Sequence, residues 1–139
     1  FERADAEFAK AIALDPESTT ARENRALVLQ SWGNALVDQG QAAAALERYD
    51  TALMLIPGSA DLLDDRGRAL VALGRLDQAI DAFRQAVRLA PSNADLHFNL
   101  GAVLAKTGRR DEAIEEFRRV LAIDATRDDA RLAIRTLGG

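Results

Sequence analysis

The chain has 139 residues, of which 48% are apolar, 29% are charged and 5% are aromatic, and its formal net charge is −4. This length suits one compact domain, and the acidic balance argues against a phosphate-backbone ligand and so against nucleic acid. No apolar run comes near the roughly 18 residues of a membrane span. Without cysteine, and with one histidine, disulfides and a typical zinc site are excluded, while the compartment stays open.

A pattern recurs every 34 residues over most of the chain, which indicates stacked supersecondary units. Each copy holds two glycines, an alanine and an aromatic residue in the same order. The copies are Gly33, Gly40, Ala45 and Tyr49; Gly67, Gly74, Ala79 and Phe83; and Gly101, Gly108, Ala113 and Phe117.

Residues 1–16 match the second half of such a unit, since Phe8 and Pro16 fall in phase with Tyr49 and Pro57. The helix that should pair with this segment is missing, so its apolar face would be uncovered on one side. We favour further repeats before Phe1 in the intact protein. The alternative is that another chain covers the face, for example by self-association around Phe8.

The first complete unit, at 20–59, is longer than the others, because Pro16 and Pro57 are 41 residues apart. Seven extra residues are about two helical turns and could extend a helix without losing phase. Thr20 and Glu23 fit a capping box. We therefore predict a first helix of about 18 residues, from roughly Ala21 to Asp38; a seven-residue loop insertion is the alternative.

The units at 60–93 and 94–127 each show two stripes of apolar residues at the helical period. Gly74 ends the first stripe, Asp77 is the candidate cap of the second, and Ser92 and Asn93 are candidate caps of the next unit. A short turn between two helices makes an antiparallel hairpin. A glycine in the middle of a helix costs about 1 kcal/mol relative to alanine, so we expect Gly67 to face Ala79 and let the two helices approach. The pairs Gly33 with Ala45 and Gly101 with Ala113 are expected to do the same, while Phe83 fills space between hairpins.

Residues 128–139 are predicted to form a lone helix that caps the array. Leu132, Ile134 and Leu137 would cover the last hairpin, with Arg131 and Arg135 in water. The segment would equally suit the first helix of another repeat that is cut short.

The run from Leu100-Gly101 through Gly108, Ala113 and Phe117 to Val120-Leu121 resembles the tetratricopeptide repeat, and so do the units at 26–59 and 60–93. Trp32 and Ala125 depart from the usual leucine and proline of the family. The resemblance implies an all-α fold, a right-handed α-solenoid of antiparallel helix hairpins. It also implies one array: 1–16 as the second helix of a truncated repeat, repeats at 20–59, 60–93 and 94–127, and a capping helix at 128–139. The composition, rich in Ala, Arg and Asp and poor in lysine, suggests a bacterial source, and the resemblance implies a multi-repeat protein.

The resemblance further implies that the first helices build a concave groove, which in such proteins holds an extended peptide or a helix of a partner. Carried onto this chain, the groove residues are Gln30, Asn34, Asp38, Asp61, Asp64, Arg68, Asp95, Phe98, Lys106 and Leu132, with Leu27, Val37, Val71, Ala102 and Asp129 beside them. Acidic residues outnumber basic ones, so the partner is expected to carry basic and apolar residues.

Two simpler explanations compete for the charged positions. Asp61, Asp95 and Asp129 lie in predicted first turns, where carboxylates stabilise helices. Asp64 and Arg68 are four residues apart and could pair with each other.

Readers of chaperone tails in this family hold a terminal carboxylate with Lys, Arg and two Asn. The matching positions here are Gln30, Asn34, Asp65, Asp95 and Asn99, of which only Asn34 agrees. We therefore reject this mode of binding.

Catalytic chemistry has no support in the sequence. His97 lies on an apolar helical stripe and is expected to pack rather than to act as a ligand or a base, and no serine has a plausible histidine partner. No glycine loop could cradle a phosphate, and no cofactor is expected. The leading hypothesis is a non-enzymatic protein-interaction scaffold with anchors such as Phe98 and Leu132. The alternative is a recognition or oligomerisation arm of a larger enzyme, such as a transferase, whose catalytic domain lies outside this chain.

Overall fold

The computed structural model describes residues 1–138, which form eight α-helices and no strand. The helices are α1 (Glu2–Leu14), α2 (Thr19–Asp38), α3 (Ala42–Leu55), α4 (Ala60–Ala72), α5 (Leu76–Leu89), α6 (Ala94–Lys106), α7 (Arg110–Ile123) and α8 (Asp128–Thr136). Among these helices none is both long and apolar enough to cross a bilayer.

The helices form three hairpins, α2/α3, α4/α5 and α6/α7, with α1 packed before the first and α8 after the last. Each helix packs mainly against its neighbours in the chain, so the core runs along the array rather than around one centre. The predicted all-α solenoid of helix hairpins is confirmed.

A left-handed glycine ends the first helix of each hairpin. Gly40, Gly74 and Gly108 have φ values of 74°, 72° and 78°. After α4, the Gly74 N–H bonds to the Val71 carbonyl and the Arg75 N–H to the Leu70 carbonyl, at 3.0 and 2.9 Å. This is a Schellman motif, and its left-handed residue explains the recurring glycine.

Side-chain caps mark only the starts of α2, α4 and α6, where Ser18, Ser59 and Asn93 accept hydrogen bonds from backbone N–H groups. The predicted capping box at Thr20 is wrong, because α2 begins at Thr19 and Ser18 caps it. The predicted cap at Asp77 is also wrong. The turn after Gly74 is so short that the cap position falls on Arg75, and Asp77 already lies in the first turn of α5.

The first helix of the longer unit takes up the extra residues. α2 has 20 residues, from Thr19 to Asp38, so the seven additional ones lie in the helix rather than in a loop. α1 packs on α2: Arg25 Nε donates to Asp5 Oδ1 at 2.7 Å, and Phe1 stacks on Trp32 with ring centroids 6.3 Å apart.

The aromatic residue of each hairpin packs on the mid-helix glycine of the same hairpin. Tyr49, Phe83 and Phe117 are at most 2% exposed. A Cβ at Gly67 would lie 2.6 Å from Phe83 Cε1, and Gly33 and Gly101 face Tyr49 and Phe117 in the same way. Phe83 therefore supplies the nearest side-chain contact of Gly67, and the pairing of Gly67 with Ala79 stays a prediction.

The last helix, α8, covers the end of the array with small and aliphatic side chains. Ala130 is fully buried, and Ala133, Ile134 and Leu137 pack against the core of the preceding hairpins. Leu132 is 58% exposed, so the prediction that it covers the last hairpin is wrong. It points away from the side of α8 that carries Ala130 and Ile134.

Candidate functional site

The first helices α2, α4 and α6 lie side by side and are joined by amide-to-carboxylate hydrogen bonds. Gln30 of α2 donates to Asp65 of α4 at 2.7 Å. Asn99 of α6 donates to Asp64 of α4, also at 2.7 Å. We call the surface that residues of α2, α4 and α6 form around these two bonds the first-helix face.

Two adjacent carboxylates lie at the centre of the first-helix face. Asp64 and Asp65 are half-buried, and burial raises the pKa of each, while the amide hydrogen bonds from Asn99 and Gln30 act in the opposite direction. Within residues 1–138 the one cation within 4 Å of either carboxylate is Arg68, with Nη1 3.8 Å from Asp65 Oδ1. The predicted pairing of Asp64 with Arg68 is wrong, because the Asp64 carboxylate is directed to α6 and Asn99.

The first recess of this face lies between α2 and α4 and has a volume of about 200 Å³. It is lined by Asn34, Val37, Asp38, Tyr49, Asp65 and Arg68. The Tyr49 hydroxyl donates to Asn34 Oδ1 at 2.7 Å. Burial, with Asp65 nearby, raises the pKa of Tyr49 to about 12, so this hydroxyl stays a donor. The recess is therefore polar and carries two carboxylates against one guanidinium.

The second recess lies between α4 and α6 and has a volume of about 460 Å³. It is lined by Arg68, Val71, Ala72, Phe83, Asn99, Ala102, Val103 and Lys106. Its walls are mainly apolar, and both of its charged side chains are basic. The first-helix face is thus not uniformly acidic: Asp38 and Asp65 line the recess beside α2, Arg68 borders both recesses, and Lys106 lies at the end of α6.

The predicted site residues fall into two groups. Asn34, Asp38, Arg68 and Lys106 line the two recesses, and Gln30 and Asp64 take part in the bonds that join the helices. The remaining four, Asp61, Asp95, Phe98 and Leu132, line neither recess.

Arg127 contacts two residues of the second group, Asp95 and Phe98. Its Nη1 donates to Asp95 Oδ1 at 2.6 Å, and its guanidinium lies 5.2 Å from the ring centroid of Phe98. Phe98 also packs on Phe117, with centroids 5.3 Å apart. Asp95 is therefore matched by a cation of its own chain, and Phe98 is part of the packing between α6 and α7. Asp61 lies exposed in the first turn of α4, and Leu132 is exposed on α8.

Sequence reasoning did not place Asp65, Asn99 or Tyr49 among the groove residues. A signal for the first two was available: the pairs Gln30 with Asp65 and Asp64 with Asn99 are each separated by 35 residues, one more than the repeat. Residues at equivalent positions of α2, α4 and α6 lie next to each other. A residue can therefore form a hydrogen bond with the one 35 positions further along the chain, in the next first helix.

His97 lies outside the first-helix face and is 3% exposed. Its Nδ1 is 2.6 Å from Glu116 Oε2 of α7, and its Nε2 is 2.8 Å from the Pro91 carbonyl before α6. The imidazole thus packs inside the array and joins α6 to α7 and to the loop before α6. Over the residues that the model describes, no group of His, Asp or Glu is arranged to hold a metal ion.

The apolar side of α1 is less covered than its counterparts. Phe8 is half-buried, whereas Tyr49, Phe83 and Phe117 at the equivalent positions are buried. No residue of α1 is fully buried, and Leu14 at its end is 88% exposed. Self-association through this surface stays a prediction.

Comparison with known proteins identifies the repeat. Two family models described as tetratricopeptide repeat match residues 65–130 and 36–87, and together they span most of the three hairpins. No curated protein sequence is significantly similar to the chain.

Solved structures share the fold over most of the chain. MamA is 25% identical with a TM-score of 0.77, over 96% of this chain and 74% of its own. The first TPR domain of Spaghetti (RPAP3), bound to the HSP90 peptide SRMEEVD, is 25% identical with a TM-score of 0.80, over 84% and 92%. The first TPR domain of human RPAP3 is 26% identical with a TM-score of 0.77, over 81% and 89%.

The chain belongs to the tetratricopeptide-repeat (TPR) family. Among its structural neighbours is a TPR domain that binds a chaperone peptide, which supports a role in protein interaction.

Proposed function

We propose that the chain is a non-enzymatic scaffold whose first-helix face binds a peptide or helix of a partner protein, and that a basic side chain of the partner binds at Asp64 and Asp65. The observation that carries this proposal is the pair of half-buried carboxylates at the centre of the face, each hydrogen-bonded to a neutral amide.

Burial is unfavourable for a charged carboxylate and raises the pKa of both groups. Among residues 1–138 Asp64 has no cation within 4 Å, and Asp65 has Arg68 alone, at 3.8 Å. A Lys or Arg side chain that enters the face would supply the missing positive charge. Ionisable groups held at such a cost are found preferentially at functional sites. Asp38 adds a further negative charge in the first recess, and exposed Asp61 adds one near the start of α4.

The test is a selection of displayed random 12-residue peptides on the intact chain, followed by fluorescence anisotropy of the enriched peptides. We expect enrichment of Lys or Arg beside apolar residues. The variant Asp64→Asn/Asp65→Asn keeps the shape and removes both charges, and we expect it to weaken binding at least about tenfold, or roughly 1.4 kcal/mol. The matched control, Asp81→Asn/Asp111→Asn on the second helices, should bind like the wild type. Equal affinity of both variants, or no enriched peptide, would contradict the proposal.

The stability of the single variant Asp64→Asn shows whether a loss of binding could come from a loss of folding. Burial raises the folded-state pKa of Asp64, so its ionised form lowers stability above that pKa. When the pH falls through the raised pKa, the native wild type binds a proton before the unfolded chain does and regains this stability. We therefore expect Asp64→Asn, which can still accept from Asn99, to be more stable than the wild type in urea unfolding at pH 7. The difference should shrink in acid; a less stable variant at pH 7 would contradict this reasoning.

A further inference from the structure

The recess between α4 and α6 has the shape of a site for one apolar side chain. Phe83 and Val103 are 2% and 3% exposed and form its floor. Ala72 and Ala102 stand at its rim, and neither side chain is large enough to fill the space between the helices. A volume of about 460 Å³ exceeds that of any single aliphatic or aromatic side chain, so such a group could enter without displacing a helix.

The rim of this recess carries two cationic side chains that have few carboxylates of the chain near them. The Arg68 side chain is 65% exposed, and its one carboxylate contact in residues 1–138 is Asp65, at 3.8 Å. Lys106 is exposed, and within the same range its ammonium has no carboxylate within 4 Å. Asn99, the other polar group of the rim, already donates to Asp64. Two cations therefore border an apolar space without a strong counter-ion.

We propose that this recess binds an apolar side chain of the partner segment and that Arg68 and Lys106 bind a carboxylate beside that side chain. The proposal rests on the proposed function and adds to it a second, oppositely charged contact. The five positions used by readers of chaperone tails are not the source of this chemistry, since Asp65 and Asp95 occupy two of them and Arg68 and Lys106 lie outside them.

The distribution of charge over the first-helix face therefore favours one orientation of the bound segment. The recess on the α2 side presents Asp38 and Asp65, Arg68 stands between the two recesses, and Lys106 lies at the end of α6. The partner segment that fits both parts carries a basic residue towards α2, and an apolar residue with Asp or Glu beside it towards α6. Complementary charges of this kind fix orientation and suppress wrong partners.

The experiment uses the peptides enriched in the selection on the intact chain. We expect an Asp or Glu next to Leu, Ile, Val, Met or Phe in the enriched sequences. In anisotropy titrations, Arg68→Gln/Lys106→Gln should weaken the binding of such a peptide at least about fivefold, and so should Asp→Asn or Glu→Gln in the peptide. Combining both changes should add little, because they remove the same contact.

Two further variants test the apolar part and control for folding. Ala102→Phe fills the recess from an exposed position and should weaken binding about tenfold. Ala122→Phe makes the same change on an exposed position of α7, and Arg88→Gln/Arg118→Gln removes two exposed cations from the second helices. Both controls should bind like the wild type, and circular dichroism should show every variant folded.

The outcomes separate this inference from the proposed function. Peptides that depend on Asp64 and Asp65 but lack an acidic residue, or whose carboxylate shows no coupling to Arg68 and Lys106, would overturn the second contact and leave the scaffold function standing. A selection without enriched peptides would overturn both.

Discussion

At the scale of single residues, the contact between Gly67 and Phe83 limits how closely α4 and α5 approach each other. A Cβ at Gly67 would lie 2.6 to 2.9 Å from three atoms of the Phe83 ring, inside van der Waals contact. Inside a helix, alanine stabilises the folded protein by about 1 kcal/mol relative to glycine. Overpacking, however, lowers the free energy of unfolding by about 1–3 kcal/mol. Phe83 is only 2% exposed, and three of its ring atoms lie within 3 Å of the added Cβ, so we expect the steric effect to dominate.

We therefore expect Gly67→Ala to lower the free energy of unfolding by about 1 kcal/mol, measured by urea denaturation. Placing the same change in a Phe83→Leu background removes the ring, so there Gly67→Ala should become neutral or stabilising. The loss of stability should follow the space available. Gly33→Ala, whose Cβ would lie 2.4 Å from Tyr49, should lose most, and Gly101→Ala, whose Cβ would lie 2.9 Å from Phe117, should lose least. A stabilised Gly67→Ala protein would contradict this account.

At the scale of the helices, the two members of a hairpin begin in different ways. α2, α4 and α6 follow longer loops and have Ser18, Ser59 and Asn93 as side-chain caps. α3, α5 and α7 follow the glycine turns and start without a side-chain cap. The turn itself fixes the direction of the second helix, because its Schellman hydrogen bonds already hold the chain at the helix start.

This difference predicts unequal responses to alanine at the two kinds of start. Asn93 accepts from the N–H groups of Asp95 and Leu96, at 3.0 and 3.4 Å. Asn93→Ala should lower stability by about 1 kcal/mol. Arg75→Ala, at the cap position of α5, removes no cap bond and should change stability by less than about 0.5 kcal/mol. Thermal and urea unfolding of the two variants give the comparison, and equal losses would refute the distinction.

At the scale of the whole molecule, the array is held together by contacts between neighbouring helices. The largest core cluster runs from Leu46 of α3 to Ala130 of α8, whereas α1 has no buried residue and α8 has Ala130 alone. Stability in such arrays is close to a sum over units and their interfaces, so the ends open most easily.

We expect native-state hydrogen exchange to show this gradient. Amides of α1 and α8 should exchange first, and those of α4, α5 and α6 last, near the rate set by global unfolding. The residue-resolved NMR measurement would contradict the prediction if α1 were as protected as α5. A control with Arg25→Ala, which removes the ion pair to Asp5, should speed exchange in α1 and leave α6 unchanged.

The sequence by itself determined the repeat, the hairpins and the family, because period, glycine turns and apolar stripes are local signals that recur three times in phase. It also placed the extra turns of the first long helix, since seven residues preserve the helical phase. It did not identify Phe83 as the nearest contact of Gly67, because which side chain lies against a glycine depends on how the two helices pack. It likewise misjudged the cap at Thr20, where Ser18, Thr19 and Thr20 were all candidates, and the cap at Asp77, where the short turn puts the cap position on Arg75.

Only the tertiary structure decided how charges are distributed over the first-helix face. Counting residues gave a mildly acidic groove, but Arg127, far along the chain, neutralises Asp95, and Gln30 and Asn99 hold Asp65 and Asp64 from neighbouring repeats. Arg68 and Lys106 then meet at an apolar recess that no single helix contains. Helical periodicity fixes the side of a helix on which a residue lies; the partner it meets depends on the stacking of the next repeat, because these contacts join residues about 35 apart.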